Sequence, residues 1–380
     1  MNNLTAIDFS KNLLKYKTIT PYSHKCNKNE EIIDYIISVI KPHGFLCNKL
    51  TFENVVNLYA CTNFDFKENL CFVGHIDVVP EGDISLWKFD PFTPTIENET
   101  LYARGVVDMK CAIACFVMAA LDSIKEGKLK QNISFMITGD EEGSSLNGAI
   151  KIIEWMNENN IKITNAITGE PTSRTSVCDV IKIGRRGSIN YELTIKGVEG
   201  HVAYPHLANN PINIGVKIAN DLINYKLDNG NEFFDKSNLE ITSIDTGNKI
   251  TNVIPQNIYL KFNIRFNNIH TKETLNEIIT NICLKYTNDF DLQIISCSDS
   301  FLTNNEHLSF KLANIIEKIT NKKPEINTEG GTSDARFVKN LCPIIELGLL
   351  NKTAHKINEH AKISDINILY QVYKEFIESF

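Results

Sequence analysis

The sequence predicts an α/β protein interrupted by an α+β insertion, and three observations lead there. Strand-length apolar runs alternate with helix-length segments as far as about residue 170. From about residue 181 to 297 the texture changes to strand–helix–strand–strand–helix–strand. The first pattern then resumes to the C-terminus. A length of 380 residues suits two domains better than one.

Taken in order, apolar residues recur at helical spacing over 4–17 and 29–41, with Pro42 and Gly44 closing the second segment. Val55 to Cys61 reads as a strand, and the short strand Leu70 to Val73 runs into Gly74-His75-Ile76-Asp77. A turn-rich loop spans Pro80 to Pro94. Arg104 to Lys110 precedes a helix over 111–125 that is apolar on nearly every side, as a buried helix should be. Strand 133–138 delivers Gly139-Asp140-Glu141-Glu142-Gly143. A helix over 147–158 follows, and Ala166 to Thr168 is a strand leading into Gly169-Glu170-Pro171.

Within the insertion, Ile189 to Lys196 and Ile258 to Phe266 alternate as half-exposed strands. Helices are expected over 211–225 and 271–286, and further strands over 239–244 and 291–297. Beyond it come a helix over 306–320, a strand over 324–327 and the loop Gly330-Gly331-Thr332-Ser333-Asp334. Strand Pro343 to Leu347, a loop holding His355 and a helix over 364–378 complete the chain.

Composition narrows the function classes. Hydrophobic content of 43% and charged content of 22% are ordinary for a globular protein. A net charge of -7 with no long basic run argues against nucleic-acid binding. No apolar stretch reaches the roughly 18 residues of a membrane span. The first residues lack the charged-then-apolar pattern of a signal peptide, so a cytoplasmic location is expected. The ten cysteines form no Cys-x-x-Cys pair, which argues against a thiolate zinc site. Cys61, Cys71, Cys115 and Cys342 lie in apolar runs and read as buried thiols of a reducing compartment.

The chemistry gathers at strand ends. Ligands of α/β sheets bind beyond the carboxyl ends of the strands, and His75, Asp77, Glu141, Glu142 and Glu170 all fall just after one. Alternation along an extended segment predicts that Glu141 and Glu142 point apart, one to a cation and one to water on it. His75-x-Asp77 puts an imidazole and a carboxylate on one face, where the acid fixes the ring's tautomer and orientation. Each feature alone has a plainer reading: an acidic surface turn, Asp108 as a helix N-cap, Glu170 as a turn acid, His355 as a loop histidine. Together, two histidines and three acids suit a divalent metal site with more ligands than one tetrahedral zinc takes. Two metals sharing a carboxylate would use them all and clamp a hydroxide nucleophile.

The motifs GHIDVVP, ARGVVDMKCAIA, ITGDEEG, ITGEPT, GRRGS, GHVAYPHLANNP, TNVIP, GGTSDARF and HKINEH, spread from about residue 4 to 380, carry a resemblance. The chain resembles the dinuclear-zinc metallopeptidase family of aminoacylases, acetylornithine deacetylases and glutamate carboxypeptidases. The resemblance implies a mixed-sheet, zinc-peptidase-like catalytic domain over 1–182 and 297–380. It also implies a ferredoxin-like dimerisation or lid domain over 183–296. Two zinc ions per subunit are implied, with cobalt able to substitute, in a homodimer with a small-molecule substrate.

Carried over residue by residue, the resemblance makes Asp108 the bridge between two metals, with His75 and Glu170 on one and Glu142 and His355 on the other. Asp77 orients His75, and Glu141 is the general base. His201 reaches the partner subunit's active site and stabilises the oxyanion, while His206 is structural. Through GRRGS, the GNEFF run, GGTSDARF and the HKxNE signature, the resemblance implies N-succinyl-LL-2,6-diaminopimelate as substrate, with another acyl-amino acid such as acetylornithine as the alternative. Its three carboxylates suit Arg185, Arg265 and Arg336, with Ser188, Tyr204, Asn252, Thr332 and Asn351 as neutral donors. The choice between Arg185 and Arg186 stays open, as does any task for Asp140. A non-catalytic metal-binding or dimerisation protein of the same fold is the reading from another class; it would have no need of Glu141. Val106, Val107, Cys111, Glu329 and Ala335 depart from the residues usual at their motif positions.

Overall fold

A computed structural model describes residues 4–20, 28–303 and 305–380. They fall into two compact units. One holds the chain up to Ile183 together with Thr303–Asn327 and Ser333–Phe380; the other holds Gly184–Leu302 and Thr328–Thr332. The insertion expected over 183–296 thus runs a few residues further and takes in a short segment from beyond it.

The larger unit is built on an eight-stranded mixed sheet. Its order is Phe45–Phe52, Val55–Thr62, Asn132–Thr138, Asn69–His75, Asn165–Thr168, Ile344–Glu346, Val180–Lys182, Glu325–Asn327. The four strands from Asn132–Thr138 to Ile344–Glu346 run parallel, so their carboxyl ends share one edge. Parallel strands covered on both faces read as continuous apolar runs, and Asn69–His75 and Asn132–Thr138 are buried at every position. The edge strand Phe45–Phe52 is not legible as a strand in the sequence. Phe45 is its one buried residue, the exposed Leu46, Lys49 and Thr51 fall on both faces, and the strand turns into its partner through Glu53 at φ 51°.

Helix Cys111–Lys125 packs against Ala6–Leu14 and Ile363–Glu378. Its Phe116 ring lies 4.6 Å from Phe72 on the sheet and 5.3 Å from Tyr373 on the C-terminal helix. Such aromatic pairs contribute about 0.5–1.5 kcal/mol beyond their buried area. Val106, Val107 and Cys111, the residues unusual for their motif, are all buried in this core. The first helix starts at Ala6 rather than residue 4 because Thr5 and Asp8 close a capping box.

The smaller unit has a four-stranded antiparallel sheet in the order Asn238–Asp245, Asn257–Phe266, Gly187–Lys196, Phe290–Ser298. With helices Pro211–Asn224 and Lys272–Leu284 between strands, this is the ferredoxin-like arrangement expected from the sequence. Alternate residues of Gly187–Lys196 and Asn257–Phe266 face a core of their own, including Ile189, Tyr191, Leu193, Leu260, Phe262 and Ile264.

Candidate metal centre

The shared strand edge collects the candidate ligands. His75 is the last residue of its strand and stands beside Thr138, while Val73 stands beside Thr168. Glu141 and Glu142 therefore leave on one side of His75 and Glu170 on the other. His355 follows the neighbouring parallel strand Ile344–Glu346. Asp108 comes from the loop ahead of helix Cys111–Lys125. That loop seats closely because Gly74 and Gly169 leave room for Met109: a Cβ on either glycine would lie within 2.9 Å of its methyl carbon.

Asp108 faces two histidines with separate oxygens. Its Oδ1 lies 3.0 Å from His75 Nε2 and its Oδ2 3.1 Å from His355 Nε2. His75 Nε2 is also 3.9 Å from Glu170, and His355 Nε2 is 2.7 Å from Glu142. The donor atoms of His75, Asp108 and Glu170 lie within 4.8 Å of one another, as do those of Asp108, Glu142 and His355. Asp108 is the member common to both triads.

Asp77 acts differently from expectation. His75 Nδ1 donates to the backbone carbonyl of Asp77 at 2.9 Å, whereas the carboxylate is 3.7 Å away. The tautomer is thus fixed by the main chain, leaving Nε2 free to ligate. The carboxylate instead accepts the N–H groups of Glu141 at 3.2 Å and Glu142 at 3.0 Å. These two acids lie in a turn beyond the strand end, not on an extended segment. Strand alternation does not apply there. Their carboxylates do not point apart: one oxygen of each lies within 4.8 Å of the other and of a His75 nitrogen. Asp140 has a structural task, accepting from Ser144 N, Ser144 Oγ and Asn147 N to close that turn.

Electrostatics tests the metal reading. Burial raises the Glu141 pKa well above the carboxylate range, and the charge of Glu170 adds to this. Burial would lower the His75 pKa, but hydrogen bonding and charge from Asp108, with the charges of Asp77 and Glu141, carry it well above the usual value. Hydrogen bonds to Asp108 and Glu142 push His355 up to about 10. Asp77 is raised to about 7 by burial. Carboxylates thus outnumber imidazoles in a largely enclosed space, a donor set of hard oxygens and borderline nitrogens that divalent cations fit.

Glu359 and Arg104 escaped the sequence reading, although both sit inside quoted motifs. Their buried ion pair measures 2.8 Å, and Glu359 also accepts backbone N–H groups of Gly105, Val107 and Asp108. The one available signal was a charged residue at a fixed place in HKINEH with no ligand role. Asp334 is also buried, and neither carboxylate oxygen has a hydrogen-bond partner among the described residues.

The remaining candidates are not ligands of these triads. In the larger unit, the Arg336 guanidinium lies 4.4 Å from the Phe337 ring centre, and Asn351 opens a short 3₁₀ turn with its side chain exposed. In the smaller unit, Ser188 and Arg265 are direct cross-strand partners. Arg265 is partly buried and meets no acceptor among the described residues; burial and the charge of Arg186 lower its pKa. Arg185 donates to Gly331 O at 2.8 Å, whereas Arg186 is engaged by Lys236 O and Asn238 Oδ1. His201 is exposed, accepts the Ala203 N–H at Nδ1 and lies 5.7 Å from the Tyr204 ring. Asn252 is exposed and Thr332 half-buried.

Comparison with known proteins agrees with this architecture. The succinyl-diaminopimelate desuccinylase of Ehrlichia canis (strain Jake) is 48% identical over 379 residues, covering 98% of each chain. That of Rickettsia bellii (strain RML369-C) is 48% identical over 378 residues, covering 97% of this chain and 95% of its own. Among solved structures, an M20 family metallo-carboxypeptidase from Sulfolobus solfataricus shares the fold with a TM-score of 0.78 at 20% identity, over 98% of each chain. The family model for peptidase family M20/M25/M40 matches residues 71–379. With its ligand-bearing strand edge and its near-full-length relatives, the chain belongs to peptidase family M20/M25/M40.

Proposed function

We propose that the protein hydrolyses N-succinyl-LL-2,6-diaminopimelate to succinate and LL-2,6-diaminopimelate, a step toward lysine and meso-diaminopimelate. The observation that carries the reaction class is Asp108, one carboxylate offering its two oxygens to two histidine-containing triads. The substrate rests on the named activity of the Ehrlichia canis and Rickettsia bellii relatives, which match nearly the whole chain.

His75 and Glu170 would hold one ion, Glu142 and His355 the other, and Asp108 both. The ions are proposed as zinc, with cobalt able to substitute. When bound, they supply Lewis acidity toward the amide carbonyl and toward water. Glu141 takes the proton from the attacking water and delivers it to the leaving amine, a role for which a raised carboxylate pKa suits it. Asp77 keeps Glu141 and Glu142 in place through their backbone N–H groups and holds His75 through its own carbonyl. We assign the larger unit the catalytic role and the smaller one a dimerisation or lid role, in a cytoplasmic homodimer. His201 would serve the partner subunit by stabilising the oxyanion. Arg185, Arg265, Arg336, Ser188, Tyr204, Asn252, Thr332 and Asn351 are the proposed substrate contacts. The partly buried guanidinium of Arg265, which meets no acceptor among the described residues, supports a carboxylate-bearing substrate.

The test compares kcat/KM for N-succinyl-LL-2,6-diaminopimelate and acetylornithine on the zinc-loaded protein. A clear preference for the succinyl compound is expected; preference for acetylornithine overturns the assignment.

A further inference from the structure

We propose that Glu359 is the positioning residue of the second metal position, the one framed by Asp108, Glu142 and His355. The inference rests on the two-metal reading above. Glu359 is fully buried, and both of its oxygens are in use. Oε1 accepts from Val107 N at 2.8 Å and Asp108 N at 3.3 Å. Oε2 accepts from Arg104 Nη1 at 2.8 Å and Gly105 N at 3.1 Å. One carboxylate four residues after His355 thus fixes the backbone that presents Asp108.

Arg104 extends the clasp. It donates to Lys356 O, the residue after His355, and to Pro80 O, beyond Asp77, each at 3.1 Å. Three ligand-bearing loops therefore meet on one ion pair. The loop with most need of holding is that of His355, which has φ at 61°, a left-handed conformation uncommon outside glycine. His355 is also half exposed, with no packing of the kind that encloses His75. His75 and Glu170 instead sit at strand ends fixed by the sheet. Glu359 holds Asp108, which both positions share, and through Arg104 it also holds the His355 loop, so its loss weakens the second position more than the first.

Glu359→Gln is a sharp probe. Whichever way the amide is turned, its NH₂ faces two N–H donors: either Val107 with Asp108, or Arg104 with Gly105. Glu359→Asp keeps both acceptors but withdraws them by one methylene. The experiment titrates Zn²⁺ calorimetrically into metal-free wild type and both variants, with Co²⁺ absorbance as the spectroscopic record of each site. Wild type is expected to bind two ions. Glu359→Gln should weaken one ion about 10–100-fold and the other by clearly less, with Glu359→Asp intermediate. Two unchanged steps, or two equally weakened steps, overturn the inference. Where Glu359→Gln does not fold, Glu359→Asp decides alone, and unchanged binding in it overturns the inference. Wild type binding fewer than two ions defeats the two-metal reading itself, a result distinct from a failure of the variants.

Discussion

The Asp77 carboxylate accepts the backbone N–H of Glu142 at 3.0 Å, with its other oxygen on the N–H of Glu141. The residue thus anchors the acidic turn through its side chain and His75 through its carbonyl. In Asp77→Asn the single remaining carbonyl oxygen serves only one of the two N–H groups. A buried donor left unpaired costs about 1–3 kcal/mol. The expected outcome is a loss in kcat of roughly 10–100-fold at saturating metal. Steady-state kinetics checks it, and wild-type kcat would show that the turn stands without this anchor.

Glu141→Ala separates ion holding from proton transfer. Neither triad centred on Asp108 includes Glu141. The variant is expected to retain both ions by elemental analysis while turnover falls about 10²–10⁴-fold. Full turnover would remove Glu141 from the proton path.

Metal uptake should expel protons. In the metal-free protein hydrogen bonds to Asp108 and Glu142 hold the His355 pKa at about 10, so this ring is charged at pH 7, and His75 is shifted in the same direction. Ligation requires neutral imidazole. Zinc titrations at pH 7 in buffers of different ionisation enthalpy should show net proton release. Affinity should weaken as pH falls, and release should fade as pH approaches the His355 pKa. Absence of proton release would mean the histidines are neutral beforehand.

Asp334 has the opposite linkage. Burial raises its pKa from 3.8 to about 6, against the lowering charge of Arg336. Between those values the folded chain keeps a proton that the unfolded chain has released, so stability falls as pH rises through this window and levels off above it. Relative to Asp334→Asn, the metal-free wild type should lose roughly 1.4 kcal/mol per pH unit there. Urea unfolding of both proteins from pH 4 to pH 7 measures this. A constant difference would show that Asp334 does not titrate in that range.

The central strands and the residues leaving them were legible because a strand buried on both faces is apolar throughout and ends abruptly in charge. The edge strand Phe45–Phe52 was not, since only Phe45 in it is buried and its exposed residues fall on both faces, so no two-residue period marks it. Extended geometry predicts that Glu141 and Glu142 point apart, but it stops with the strand at Thr138, and both residues lie in a turn held by the distant carboxylate of Asp77. Glu359 was invisible for a related reason. Its partners lie some 250 positions earlier in the chain, and nothing in the spacing of HKINEH reports them.

The grouping of Thr328–Thr332 with the smaller unit has a consequence for protein engineering. Thr328 bonds the carbonyl of Phe233, and Gly331 receives Arg185, so these five residues complete a module encoded mostly elsewhere. The chain crosses between the units four times, not twice. Transplanting residues 184–302 alone into another scaffold would leave both bonds unmade. A faithful graft must be a two-piece transfer, with its second piece cut from the middle of the host's own returning segment.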